Sequence, residues 1–421
     1  MEHNTRFKLH NELHMGPCEL LEAPTQVSHL ALLISDDEAR HEYRMIMQLC
    51  EHYSVTPPPE DVTHFTVDLG TFRFKWERHS EFSNYTFFVD SPFEVPFAEN
   101  AIEHVPSSWL EKLPGEVIAA THIALESNKR PHRNLDELAH FFTANTLMGA
   151  KVASGSALVW TDNKIHADGF GRILIHDVDL RARQAGRMVQ RLIEIETYRM
   201  LAMRPVAIAR KYIPVLADFD ERLAELTSNH NQLDSLEDER KLLDQITQLA
   251  AEIERISAQT TSRFNASLAY HHIVKQRVTR LRENRIQGLQ MFHEFMDQRL
   301  TGLIQTCSSV QKHLETLSNH VSRASSLLRT RVEISMEAQS RDLLQSMDNR
   351  VKLQLRLQET VEGLSIVVLS YYLIGIVAYG LKGLKSAGLP INVELSTGIA
   401  IPIVIGAVFF GMRRLKKSLG H

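Results

Sequence analysis

His10 and His14 stand four residues apart in "LHNELH", with Glu12 between them. Two imidazoles at that spacing suggest a divalent-metal site, but the zinc-hydrolase pattern H-E-x-x-H needs its glutamate directly after the first histidine. Asn11 occupies that place. Without a helical context or a third ligand, the segment is expected to dock through ordinary imidazole hydrogen bonds. "HADGFGR", His166 to Arg172, carries two glycines but neither the lysine of a phosphate loop nor dinucleotide spacing, so a turn between strands is expected. Fourteen of the 21 histidines fall in residues 1–178, a concentration that suits divalent-cation or proton sensing. No two clusters share a ligand pattern, and the sequence leaves the metal question open. There is no nucleophile elbow and no kinase signature. The expectation is a protein without catalytic residues or a cofactor, not an enzyme.

The hydroxyls of Ser365, Tyr372 and Tyr379 recur every seven residues within otherwise apolar sequence. On a nearly straight helix they share one side, and polar groups prefer a helix interface or a water-filled path to hydrocarbon. Both readings stand: packing between helices, or the lining of a pore. Gly375 and Gly380, with Gly398, Gly406 and Gly411 farther on, permit close helix approach.

These residues sit in two uncharged stretches of eighteen residues, 364–381 and 395–412. Each is about the minimum that crosses the ~30 Å hydrocarbon core as a helix, and neither has the charged face of an ordinary core helix. They predict a transmembrane hairpin. Arg413, Arg414, Lys416 and Lys417 follow the second span directly, whereas the loop sets Lys382 and Lys385 against Glu394. The excess of basic residues after the second span predicts that both termini lie in the cytoplasm. The first residues lack the apolar core of a secretory signal. Three scattered cysteines make neither a disulfide framework nor a zinc site. With 51 acidic against 47 basic residues and a net charge of -4, no nucleic-acid partner is expected.

Proline divides the remainder. Twelve of fourteen prolines lie at or before Pro214, so long helices are expected beyond it. Before it, "SHLALLIS" predicts a strand and Asp36 and Asp37 an acidic start to the next helix. Alternation of Phe65, Val67 and Leu69, then Phe72, Phe74 and Trp76, predicts strands turning near Gly70. Further strands are expected around 84–89 and in "GEVIAATHIALE", "KVASGSALVW" and "KIHADGFGRILIH", with a helix at "LDELAHFF". Met188, Leu192, Ile195 and Met200 then follow helical spacing, with Pro205 and Pro214 as kinks or breaks. Asp218 to Arg255 holds eleven acids and four bases, and Arg263 to Arg285 six bases and one acid, which suggests two arms packed as an antiparallel hairpin. Leu344, Met347, Val351 and Leu355 recur at spacings of three and four on a stalk that enters the first span, a coiled-coil-like pattern. The resulting division is a mixed α/β cytosolic domain (1–178), long helical arms and stalk (179–362), and a two-helix transmembrane hairpin with a basic tail (363–421).

The stretches "LHNELH", "VSHLALL", "FKWERHSEF", "YTFF", "HADGFGR", "RQAGRMVQRLIEIETYRM", "LLRTRVEISMEAQ" and "LQETVEGLSIVVLSYY" resemble a bacterial family of uncharacterised membrane-anchored proteins, a domain-of-unknown-function family. The resemblance covers nearly the whole chain and implies no activity. The order of elements also resembles CorA-type magnesium channels, and this CorA-like architecture implies a homo-oligomer, a lipid bilayer as partner, and a divalent cation as the conducted species. In such channels the first span ends in Tyr-Gly-Met-Asn at the outer pore mouth. The corresponding residues are Tyr379, Gly380, Leu381 and Lys382. A lysine ring there would repel divalent cations; Asn392 and Glu394 in the loop would offset it in part. The resemblance thus implies a divergent cation channel or transporter, and the alternative is a non-conducting membrane-anchored scaffold.

Overall fold

The computed structural model describes residues 18–60, 62–228, 235–386 and 392–419. It divides the chain into two compact units, Met1–Asn231 with Asp244–Ala324, and Gln232–Leu243 with Ser325–His421. The first is a mixed α/β unit built on one sheet, and the second is helical.

The sheet contains β1 (Thr25–Leu33), β2 (His64–Asp68), β3 (Arg73–Arg78), β4 (Phe82–Val89), β5 (Glu116–Glu126), β6 (Met148–Val152), β7 (Ala157–Thr161), β8 (Gly171–Asp177) and β9 (Asn284–Arg285). Their order across it is β2-β3-β4-β1-β5-β8-β7-β6-β9. All pairs are antiparallel except β5 with β8. The alternation around Gly70 sets the β2–β3 register: Phe65 lies opposite Trp76 and Val67 opposite Phe74. Gly70 itself takes φ +85° in the turn, a conformation that costs glycine nothing and other residues strain. β9 was not foreseen, because a two-residue strand has no periodicity to detect.

Each face of the sheet has its own cover. On one, Leu30, Leu32, Phe74, Trp76, Tyr85 and Phe87 pack with Met45, Ile46 and Leu49 of helix α1 (Ala39–His52). Full burial of a side chain such as Phe74 or Phe87 contributes about 1.5–3 kcal/mol. On the other, Val27, Ile123, Leu125, Val159, Ile173 and Ile175 meet helix α3 (Ala182–Met203) and the end of α5 (Leu236–Thr279). The short α2 (Leu135–Phe141) begins with Asn134, whose side chain accepts from the Glu137 amide. The start of α1 differs from expectation. It lies at Ala39, and Glu38 instead of the exposed Asp36 and Asp37 takes hydrogen bonds from the Ser35 amide and hydroxyl.

α3 ends before Pro205 and α4 (Val206–Ser228) continues through Pro214. The acidic and basic stretches do not form two opposed arms. Residues 236–279 contain no glycine or proline and make a single helix of 44 residues, α5, so its acidic beginning and basic end are collinear. One antiparallel partner of α5 is α4, joined to it by Arg222 and Glu252 at 3.1 Å. A helical turn at Phe292–Phe295 and a π-helical turn at Met296–Leu300 lead into α6 (Thr301–Ser386), 86 residues long, and the chain ends in α7 (Val393–Leu419).

Candidate functional site: the apolar helical hairpin

Two helices are long and apolar enough to cross a membrane, one ending at Leu384 and the other spanning Val393–Arg414. Leu364, Val367, Ile376, Ile403 and Phe410 are all more than 60 % exposed in the isolated chain. Water is a poor solvent for such a surface, at about 25 cal/mol per Å² of apolar area, and monomeric soluble proteins rarely display contiguous patches of this size. α7 stays continuous through Pro402.

The hydroxyl stripe of Ser365, Tyr372 and Tyr379 is largely exposed. Tyr372 and Tyr379 are 66 % and 78 % exposed. Half-buried Ser365 donates to the Val361 carbonyl at 2.8 Å, so its hydroxyl is satisfied within the helix. Among the described residues of the first span the buried one is Ser370, about 140° around the helix from Ser365 at 100° per residue. Its Oγ has no hydrogen-bond partner. Ser370 escaped the seven-residue spacing because the stripe and the buried face do not coincide.

The other expected residues are placed as follows. The Lys382 ammonium lies 5.7 Å from the centre of the Tyr379 ring. The Asn392 carbonyl accepts from the Ser396 amide, and exposed Glu394 stands in the first turn of α7, where a carboxylate complements the helix dipole. Arg413 and Arg414 are exposed near the end of α7. The side chains of Lys385, Lys416 and Lys417 lie outside the described residues, as do His10 and His14. A Cβ added at Gly375, Gly380, Gly398, Gly406 or Gly411 would meet nothing within 4 Å. The close approach these glycines permit is therefore not used within the chain.

The histidine-rich α/β unit offers a different chemistry from the one its composition suggested. No group of three His, Cys, Asp or Glu able to hold a metal occurs among the described residues. His29 is fully buried between the hydroxyls of Thr86 and Thr197, at 3.0 and 3.2 Å, and burial together with Lys75 and His79 lowers its pKa to about 3. His122, bonded to Ser28, is lowered to about 4, chiefly by burial. These two are neutral near physiological pH and cannot sense protons there. "HADGFGR" is a turn: the His166 amide donates to the Phe170 carbonyl and the Gly169 amide to His166.

A family model described as "Protein of unknown function (DUF3422)" matches residues 1–419. The chain belongs to this family. No curated protein matches it. Five chains of solved structures do, among them one titled "structure of the full-length CmaX protein", 13 % identical over 71 % of this chain and 89 % of that one, with a TM-score of 0.16. Likeness at that score supports no shared fold. Membership of the family therefore brings an unknown function.

Proposed function

We propose that the protein is a non-enzymatic, membrane-anchored homo-oligomer of CorA-like order, held in the bacterial inner membrane by α6 and α7 with both termini in the cytoplasm. The supporting observation is that its exposed apolar surface extends beyond the spans. Leu344, Met347, Val351 and Leu355 on the stalk part of α6 are each more than half exposed. The same stretch carries Arg341, Asp348, Lys352 and Arg356, which exclude it from hydrocarbon. Lipid can cover the hairpin but not this stripe. A second copy, presenting the same stripe around a symmetry axis, covers it without any further component.

Assembly around such an axis brings the Ser365, Tyr372 and Tyr379 side of each copy toward its neighbours and forms a ring of Lys382 at the outer end. The ring disfavours divalent cations, so this is a divergent or silent cation pathway. The second reading is a non-conducting scaffold in which another protein covers the stripe. Light scattering on detergent-extracted protein separates them: a defined multiple of the 48.0 kDa chain supports self-assembly, and a strictly monomeric particle refutes it.

A further inference from the structure

Within the first unit, a cavity of about 230 Å³ lies between the β3–β4 face and helices α3 and α5. Its floor is set by register. Lys75 pairs with Thr86 and Glu77 with Asn84, so these four side chains share one face of the sheet. Gln190, Glu194 and Tyr198 recur every four residues along α3 and form the opposite wall. Arg277 of α5 pairs with Glu194 there.

The charges of this cavity are internally matched. The Lys75 ammonium lies 2.8 Å from Glu77, Arg277 meets Glu194, Glu19 meets Arg73, and Arg78 reaches Glu42. The hydrogen-bonding groups are not. Lys75 is 5 % exposed, and among the described residues Glu77 is the one partner of a group that can donate three bonds. Asn84 is 9 % exposed and its Oδ1 has no partner, nor has the buried Oε1 of Gln190. Polar groups buried in this way are rarely left unpaired.

We propose that this cavity binds a small, net-neutral zwitterion of the α-amino-acid class. The carboxylate takes the spare donors of Lys75, and the ammonium takes the two amide oxygens. Lys75 and Asn84 are diagonal neighbours across β3 and β4, about 7–8 Å apart, a span that an α-carboxylate and α-ammonium bridge together. Phe88, Val189 and Ile193 also line the cavity and give a short aliphatic side chain apolar contact. Because every charge in the wall already has a partner, a ligand of net charge would leave its own charge unmatched and buried. The volume equals that of about eight liquid waters at ~30 Å³ each, enough for a small amino acid and too little for a peptide. This inference is independent of the membrane reading.

The test is calorimetric titration of the full-length, detergent-extracted protein with glycine, alanine, serine, valine and glutamine separately, and with inositol, putrescine and succinate as controls. The expected result is one-to-one binding of at least one amino acid, weakened at least tenfold in both Asn84→Ala and Gln190→Ala. The two substitutions lie on different elements, and each removes an oxygen that has no partner in the protein together with one amide hydrogen bond, Asn84 to His79 or Gln190 to Glu194; unchanged tryptophan fluorescence checks that folding survives. Three outcomes overturn the proposal: no amino acid binds, inositol or a charged control alone binds, or an amino acid binds equally well to folded variants.

Discussion

The Tyr85 hydroxyl donates to Glu42 Oε1 across 2.6 Å, joining strand β4 to helix α1 where both side chains are fully buried. Trp76 Nε1 donates to the same oxygen at 2.8 Å, and Arg78 stands 3.3 Å from the other. A buried carboxylate needs these donors, since leaving it underpaired incurs much of its desolvation cost. Tyr85→Phe should therefore destabilise the α/β unit by about 1–3 kcal/mol. Glu42→Ala should cost more, because it strands the two buried donors of Trp76 and Tyr85 and removes the ion partner of Arg78. Denaturant unfolding followed by tryptophan emission measures both, as Trp76, Trp109 and Trp160 all belong to this unit. A Tyr85→Phe protein as stable as the parent would refute the role.

Stability should also fall in mild acid. His29 and His122 have folded pKa values of about 3 and about 4, against an ordinary 6.5. Below pH 6.5 the unfolded chain binds protons at these sites and the folded chain does not, so stability falls as pH falls. The His29 contribution is fully present above pH 6.5 and is lost progressively down to about pH 3. At pH 5 the loss amounts to about 2 kcal/mol, from a gap of 1.5 pH units. His29→Gln should flatten the pH dependence between 6.5 and 4; an unchanged slope would show that His29 does not titrate this way.

Gly186 on α3 leaves no room for a side chain. An added Cβ would lie 1.7 Å from the Glu19 carbonyl oxygen, a backbone atom that can yield only by moving its segment. Gly186→Ala should cost about 1–3 kcal/mol, whereas Gly302→Ala, where nothing lies within 4 Å, should not destabilise. Thermal melts of the two variants provide the comparison, and equal melting temperatures would contradict it.

The features visible in the sequence are those with a short repeat. Period two located β2 and β3, proline marked the break at Pro205, and two uncharged runs marked the apolar helices. Arg222 finds Glu252 thirty residues away, yet composition alone paired the wrong acidic and basic stretches, since charge totals carry no direction along a helix. Lys75, Asn84, Gln190 and Arg277 meet around one cavity from four separate elements. No spacing rule connects such residues. Ser370 differs again: its burial depends on a packing face that seven-residue hydroxyl spacing does not report.

Lys382 allows a direct test of the proposed cation pathway. In a ring of copies its ammonium groups lie within a Debye length of ~8 Å of the entrance, too close for salt to screen them from a passing cation. Lys382→Asn removes one positive charge per subunit and should raise divalent-cation flux into proteoliposomes above the parent level, with Lys385→Asn raising it less. Background flux from all three correctly inserted proteins would favour the scaffold.

Cysteine cross-linking in alkaline-washed native membranes tests anchoring and self-association together. Met347 belongs to the exposed apolar stripe of α6, and Arg356 lies about 180° around the same helix at 100° per residue. Met347→Cys should remain with the washed membranes and, on oxidation, yield a product of twice 48.0 kDa, while the parent and Arg356→Cys stay monomeric. Release of the protein by the wash, or a Met347→Cys chain that stays monomeric under the oxidant, would contradict a membrane-anchored assembly.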